Sequence, residues 1–141
     1  MELKMDRAAL SDFLRREFQQ VADDFMIEEV APMRVRVRLL AHERHPRPGG
    51  TVSGPAMFAL ADVAIYLAVL AMVGPKGLAV TTNCSIDFMR KPASGVDVIA
   101  DARLHKLGRV LAVGDALLYS DGMAPPVARA GLTYSIPPDR A

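Results

Sequence analysis

The apolar and polar positions of this chain follow two periods, one typical of helices and one typical of strands. Between Asp6 and Ala22, apolar side chains recur every three or four residues, at Leu10, Phe13, Leu14, Phe18 and Val21. Polar residues occupy the positions between them, which is the pattern of a helix with one buried face. The spacing predicts an amphipathic helix over residues 6–22, lying on the outside of the domain.

Most of the remaining chain alternates with the period of two that is typical of strands. Phe25–Val30 resembles a strand, and in Met33–Leu39 the valines face one way and the arginines the other. Four more strands are predicted, separated by turns rich in glycine and proline, at Gly77–Arg90, Val96–Lys106, Arg109–Ser120 and Val127–Ile136. Strands joined by such short turns predict a mainly antiparallel sheet of five or six strands.

One segment, Pro55–Val73, is apolar on all sides and holds a single formal charge, Asp62. Ser53 or Gly54 can cap a helix here, Pro55 suits its first turn, and Gly74 ends it. Its length is close to the roughly 20 residues of a membrane span. A carboxylate near the middle of a span costs about 2.5–3.5 kcal/mol, however, and the amphipathic strands elsewhere favour a helix buried inside a soluble protein.

These elements predict an α+β fold in one domain, residues 1–141, with the N-terminal helix at 6–22 and the core at 25–138. A curved antiparallel sheet wraps one side of the long apolar helix. Because the helix is apolar all round, a second subunit or layer must cover its other side. The protein is therefore expected to form a homodimer or a dimer of dimers.

Composition narrows the class of protein further. The chain has 141 residues, 51% of them hydrophobic, and a formal net charge of +1, which lacks the basic character of a nucleic-acid-binding domain. The single cysteine, Cys84, excludes an intramolecular disulfide, and no long apolar run suggests a signal peptide at the N-terminus. We expect a cytoplasmic protein that binds neither nucleic acid nor membrane, and no metal, because the three histidines form no local ligand motif.

The residues around the apolar helix carry a resemblance to a known family. Leu60-Ala61-Asp62 resembles the Leu-Ala-Asp of the PaaI-like acyl-CoA thioesterases, which have the hotdog fold. Ser53-Gly54-Pro55 stands where that family has His-Gly-Gly, and Ser53 precedes Asp62 by the family's nine residues. Where the family often has an asparagine, six residues before the histidine position, this chain has Arg47.

Two later segments extend the resemblance, which covers roughly Pro48 to Tyr134. Thr81–Ala93 is similar to the family's third strand, which starts with Thr or Ser and ends before Pro-Ala. Gly108-Arg109 is similar to the Gly-Arg or Gly-Lys hairpin that follows it. The resemblance implies a thioester hydrolase acting on acyl-CoA, in which CoA is part of the substrate and no further cofactor is required.

Each site residue has a role that the chemistry of thioester hydrolysis needs. Asp62 is the candidate general base or nucleophile, the N–H of Gly54 is a candidate donor to the developing oxyanion, and Thr81 matches the family's water-orienting hydroxyl. The predicted substrate-binding residues are Ser53, beside the helix N-terminus, and four cations that can bind CoA phosphates, Arg47, Arg90, Lys91 and Arg109.

The spacing of Gly54 and Asp62 leads to a hypothesis about assembly. Eight residues at about 1.5 Å rise each place them roughly 12 Å apart along the helix axis. One thioester carbon cannot be within hydrogen-bond reach of both. Antiparallel helices from two subunits would bring Gly54 of one chain to Asp62 of the other, so each active site is expected to be shared.

Other functions compete with hydrolysis. An acyl-CoA hydratase of the same fold usually pairs its Asp with a His about five residues later, and that position is Leu67. A non-catalytic acyl-CoA-binding or regulatory protein is the alternative that the sequence keeps open, because Ser53 and Arg47 replace the family's His and Asn. Asp62 could also be a structural carboxylate in a closed ion pair, and Cys84 is expected to be a small buried apolar residue rather than a nucleophile.

Overall fold

A computed structural model describes residues 2–19, 22–41, 46–47, 51–75 and 79–138. Its helices are α1 (Arg7–Glu17), a 3₁₀ turn (Ala22–Asp24) and α2 (Gly54–Val73). Its strands are β1 (Phe25–Ala31), β2 (Arg34–Leu39), β3 (Pro46–Arg47), β4 (Thr51–Val52), β5 (Val80–Phe88), β6 (Val98–Leu107), β7 (Leu111–Ser120) and β8 (Pro126–Ser135).

Six strands form one antiparallel sheet in the order β1-β2-β6-β7-β8-β5, and β3 pairs with β4 in a separate short ribbon. The alternation in β2 is confirmed, since Val35 and Val37 are fully buried and Arg34 pairs with Asp101 on the outer face. The sheet packs on α2, and α1 lies beside them. The predicted α+β hotdog fold, with six strands against one long apolar helix, is confirmed.

Helix α2 begins and ends where the sequence predicts. Ser53 is its N-cap and accepts a hydrogen bond from the N–H of Ala56 at 3.3 Å. Gly74 ends it with a φ of 93°, a left-handed conformation that favours glycine. The helix is long and apolar enough to cross a membrane. However, 72% of its most apolar 18-residue stretch is buried inside the protein, so α2 is a core helix.

The packing of α2 on the sheet requires a glycine at one point. A Cβ on Gly114 of β7 would lie 2.6 Å from the carbonyl oxygen of Arg103 and 3.0 Å from Cδ1 of Ile65. Real Cβ atoms do not approach so closely, and the first neighbour is backbone, which cannot move aside cheaply. Gly114 therefore lets β7 lie close both to its neighbouring strand β6 and to the side chain of Ile65 in α2.

Helix α1 is shorter than the prediction over residues 6–22, which is wrong at its C-terminal end. Asp6 caps the helix by accepting from the N–H of Ala9 at 2.9 Å, and the turn ends at Glu17. Phe18 leaves the helical conformation, with φ −135° and ψ 54°, and its ring packs edge-on against Tyr66 of α2, with centroids 5.6 Å apart. The helix thus ends early at the point where Phe18 makes this tertiary contact. Val21, which the prediction also placed in the helix, lies outside the described residues.

Candidate active site

Asp62 lies half-buried in the middle of α2 among apolar neighbours. Thr81 donates a hydrogen bond from Oγ1 to Asp62 Oδ1 at 2.6 Å, and the hydroxyl of Tyr134 lies 2.6 Å from the same oxygen. Among the described residues, no cation lies within ion-pair distance of Asp62. The second oxygen, Oδ2, receives no hydrogen bond from that part of the chain, so the structural alternative of a closed ion pair finds no support there.

A β-bulge aims Thr81 at the carboxylate. Thr81 lies opposite Tyr134 and Asn83 opposite Thr133, so Thr82 is an extra residue in β5. Regular alternation would place Thr82, not Thr81, on the same face as Cys84. The bulge reverses that alternation and turns Thr81 toward α2, a role bulges commonly have beside functional sites.

Tyr134 is a site residue that the sequence did not reveal. Its ring is buried, and its hydroxyl lies 2.9 Å from the backbone carbonyl of Asp62 as well as 2.6 Å from Oδ1. Burial raises the pKa of Tyr134, and the hydrogen bond to Asp62 raises it further, so the hydroxyl remains a proton donor near neutral pH. In the sequence, the only feature that could have indicated this role is the inward-facing position of Tyr134 in an alternating strand, and a core residue occupies the same kind of position.

The carboxylate opens into an apolar chamber of about 370 Å³ between α1, α2 and β5. Its described lining residues are Leu14, Phe18, Asp62, Val63, Tyr66, Ala79, Val80, Thr81 and Tyr134. Three aromatic rings line it in a row: Tyr134 stacks on Tyr66 with centroids 5.9 Å apart, and Phe18 packs edge-on against Tyr66. Asp62 is the single formally charged residue in this lining.

A second groove, of about 490 Å³, lies at the N-terminus of α2. It brings together Gly54, Arg90 and Lys91 with the apolar side chains of Phe88 and neighbouring residues. Arg90 donates from Nη1 to the carbonyl oxygen of Pro126 at 2.5 Å and remains exposed. Three predicted site residues thus share a groove, and it is separate from the chamber at Asp62.

The other predicted binding residues, Ser53, Arg109 and Arg47, are not among the described residues that line the groove that holds Arg90. Ser53 acts as the cap of α2. Arg109 lines a third groove together with Lys4, so the single chain does not bring it to Arg90. The backbone of Arg47 lies in β3, and its side chain lies outside the described part of the structure.

Cysteine and histidine supply no second reactive centre within the described residues. Cys84 is half-buried, and burial together with the nearby charge of Asp62 raises the pKa of its thiol, which disfavours the reactive thiolate. His105 pairs with Asp115, Nε2 to Oδ2, at 2.9 Å. His42 and His45 lie outside the described residues.

One face of α2 is left uncovered by the described residues of the single chain. Pro55, Phe58 and Ala59 are exposed, and Asp62 and Val63 are half-buried, at the spacing of one helical stripe. The neighbouring strand β5 is at the edge of the sheet. Both the candidate carboxylate and the helix N-terminus therefore border a surface that the described part of the chain leaves open.

Comparison with known proteins places the chain in a family. A sequence profile of the thioesterase superfamily matches residues 49–126. A crystal structure of a candidate thioesterase from a Silicibacter species is 58% identical, with a TM-score of 0.92 over 98% of this chain and 96% of that one. A search of curated proteins found no match.

More distant structures have the same fold. A mutant form of the phenylacetic acid degradation protein PaaI from Thermus thermophilus is 27% identical, with a TM-score of 0.71 over 84% of this chain and 99% of that one. A hypothetical thioesterase from Streptococcus pneumoniae, crystallised with coenzyme A, is 20% identical, with a TM-score of 0.76 over 94% of this chain and 100% of that one. On the profile match and the 58% identity, this chain belongs to the thioesterase superfamily.

Proposed function

We propose that this protein hydrolyses acyl-CoA thioesters to the free acid and CoA, with Asp62 as general base or nucleophile. One observation carries the proposal: Asp62 opens into an apolar chamber, and its described partners are neutral hydroxyl groups rather than a cation. A half-buried carboxylate that lies in a cleft without a paired cation is a common mark of a functional site. The Streptococcus protein of the same fold was crystallised with coenzyme A, which is consistent with such a substrate.

The hydrogen bonds at Asp62 support different tasks for its two carboxylate oxygens. Thr81 and Tyr134 hold Oδ1, so Oδ2 is the oxygen that faces the reacting group. As a general base, Asp62 takes a proton from water while the water attacks the thioester carbon, and the CoA sulfur leaves and is protonated. As a nucleophile, it forms a mixed anhydride that water then hydrolyses. Both routes give one acid and one thiol from one thioester and one water.

The oxyanion needs a donor, and the N-terminus of α2 offers one. Pro55 has no N–H, and Ser53 takes that of Ala56. The N–H of Gly54 is left without a partner among the described residues. Together with the positive end of the helix dipole, it can stabilise charge that develops on the thioester oxygen.

The two groups must come from different chains. Gly54 and Asp62 lie in separate cavities, roughly 12 Å apart along the helix at about 1.5 Å rise per residue. The uncovered stripe of α2 has room for the α2 of a second copy lying antiparallel to it. That pairing puts Gly54 of one subunit opposite Asp62 of the other and buries Phe58, which is 41% exposed in the single chain.

The same pairing explains why the predicted phosphate ligands lie apart. Arg90 and Lys91 border Gly54, whereas Arg109 lies in the β6–β7 turn. That turn is at the end of the sheet nearest Thr81, since Leu111 is opposite Ser135 and Ser135 is opposite Val80. In a shared site, Arg109 would come from the subunit that supplies Asp62, and Arg90 and Lys91 from its partner.

Turnover of a panel of acyl-CoAs, followed by release of free thiol, tests the hydrolysis. Asp62→Asn should lower kcat by about 10²–10⁴-fold, the usual contribution of a general base, while the amide oxygen still accepts from Thr81 and Tyr134. Asp87→Asn is the matched control, since that carboxylate is exposed and paired with Arg129 at 3.1 Å. Acyl-CoA binding without turnover in the wild type would instead identify a binding or regulatory protein.

Mixed dimers test the shared site. Gly54→Pro removes the helix-terminal N–H, and Gly54→Ala retains it with a Cβ at ordinary contact distance from Phe88. Dimers of one Gly54→Pro subunit and one Asp62→Asn subunit hold one intact site, so they should recover up to half of the wild-type activity. Verified mixed dimers as inactive as either parent would reject the shared arrangement, and Gly54→Ala should remain active throughout.

A further inference from the structure

Part of the chamber wall comes from the N-terminal segment. Leu14 of α1 and Phe18, the C-cap residue that follows the helix, line the chamber; Leu14 is almost fully buried whereas Phe18 is 36% exposed. From Asp62, successive contacts lead to Tyr134, then to Tyr66 and then to Phe18, with ring centroids 5.9 and 5.6 Å apart. Phe18 is therefore the last ring of the row, and it is the one that is partly exposed to solvent.

The chemistry of the lining selects among acyl groups. The described lining residues carry no positive charge, and their hydroxyls at Thr81 and Tyr134 are engaged with Asp62. Within one subunit, a second carboxylate would be placed near Asp62 without a cation, which is strongly unfavourable. The chamber therefore fits an uncharged, apolar acyl group.

The volume sets a scale for the length of that group. The chamber of about 370 Å³ is many times the roughly 30 Å³ that one water molecule occupies. A methylene group is of similar size, and the thioester itself occupies the end near Asp62. An acyl chain of medium length fills the space, and a longer one meets Phe18.

We propose that this chamber receives an uncharged, medium-length acyl group and that Phe18, the C-cap residue of α1, determines how long that group can be. The inference rests on the proposed hydrolysis, because it takes Asp62 as the position of the thioester carbon. It assigns α1, which lies outside the segment that matches the superfamily profile, a part in substrate selection. Phe18 is thus a specificity-determining residue.

Calorimetric binding of non-hydrolysable S-alkyl-CoA thioethers tests the length limit without requiring turnover. From S-butyl to S-octyl, the affinity of the wild type should rise about fourfold for each added methylene, as for burial of apolar surface, and then level off between S-octyl and S-dodecyl. Phe18→Ala should move that plateau to longer chains and Phe18→Trp to shorter ones. Leu117→Ala, equally exposed at 36% but on the outer face of the sheet, should leave the profile unchanged.

A second arm tests the charge preference. A thioether that ends in a carboxylate should bind more than about tenfold more weakly than an alkyl thioether of equal length. Identical plateaus in the wild type and both Phe18 variants, no gain with chain length, or equal binding of the carboxylate probe would overturn the inference. A plateau that shifts with Phe18 in a protein that turns over no acyl-CoA would retain the chamber and reject the proposed hydrolysis instead.

Discussion

The two halves of α2 are both mainly apolar, but they differ in how much of their surface is covered by the rest of the chain that the structure describes. From Ala64 to Met72 every residue is buried, whereas in the first half Pro55, Phe58 and Ala59 are exposed. The N-terminal segment makes part of the difference: the N–H groups of Lys4 and Met5 both bond to the carbonyl oxygen of Ala71. One half thus serves the core, and the other presents a carboxylate and a free helix end at an open surface.

The largest expected effect comes from placing a charge in the closed half. Ala68 is fully buried, so Ala68→Glu puts an unpaired carboxylate among apolar side chains. We expect a loss of more than about 4 kcal/mol, enough to leave no soluble folded protein. Soluble expression and far-UV circular dichroism measure the outcome, and a variant with native stability would show that this half is not a sealed core.

The same substitution in the open half should spare the fold and break the assembly. Ala59→Glu leaves its carboxylate in solvent in the single chain, so secondary structure should survive. In the proposed dimer, it would be buried against the partner's helix and should dissociate the subunits and abolish shared-site turnover. Sedimentation velocity and thiol release check both effects, and an intact, active dimer would show that this face is not the interface.

A smaller effect is expected from removing one hydroxyl at the carboxylate. Tyr134→Phe deletes the group 2.6 Å from Asp62 Oδ1 and keeps the packed ring. We expect about a tenfold fall in kcat with little change in KM, and a loss of about 1–3 kcal/mol in the free energy of unfolding. Tyr119→Phe, at a half-buried tyrosine of β7 outside the chamber lining, is the matched control and should leave kcat unchanged.

The smallest effect is a loss of stability at high pH. Burial raises the pKa of Tyr66 from 10.0 to about 12, with a contribution from Glu17, and it raises the pKa of Tyr134 as well. The folded state therefore holds these protons more tightly than the unfolded chain, so their stabilising contribution is complete below pH 10.0 and declines as pH rises toward 12 and above. Denaturant unfolding across this range should show a shallower decline for Tyr66→Phe, and an equal slope would contradict the assignment.

The features that could be predicted from the sequence depend on neighbours along the chain. Ser53, Pro55 and Gly74 delimit α2 because caps and breakers act within one turn. Alternation set the faces of β2, and the spacing of Ser53 and Asp62 pointed to the family. These signals are local and need no knowledge of how the elements meet.

The tertiary structure decided whatever depends on residues distant in sequence. Tyr134 reaches Asp62 across 72 positions, the bulge at Thr82 selects which threonine faces the helix, and α1 ends where Phe18 meets Tyr66. Periodicity gives the face of a strand only while pairing stays regular, and no pattern within one element specifies its partner. The sequence alone therefore determined most of the elements and the candidate carboxylate, and packing decided which hydroxyls hold it and which residues line its chamber.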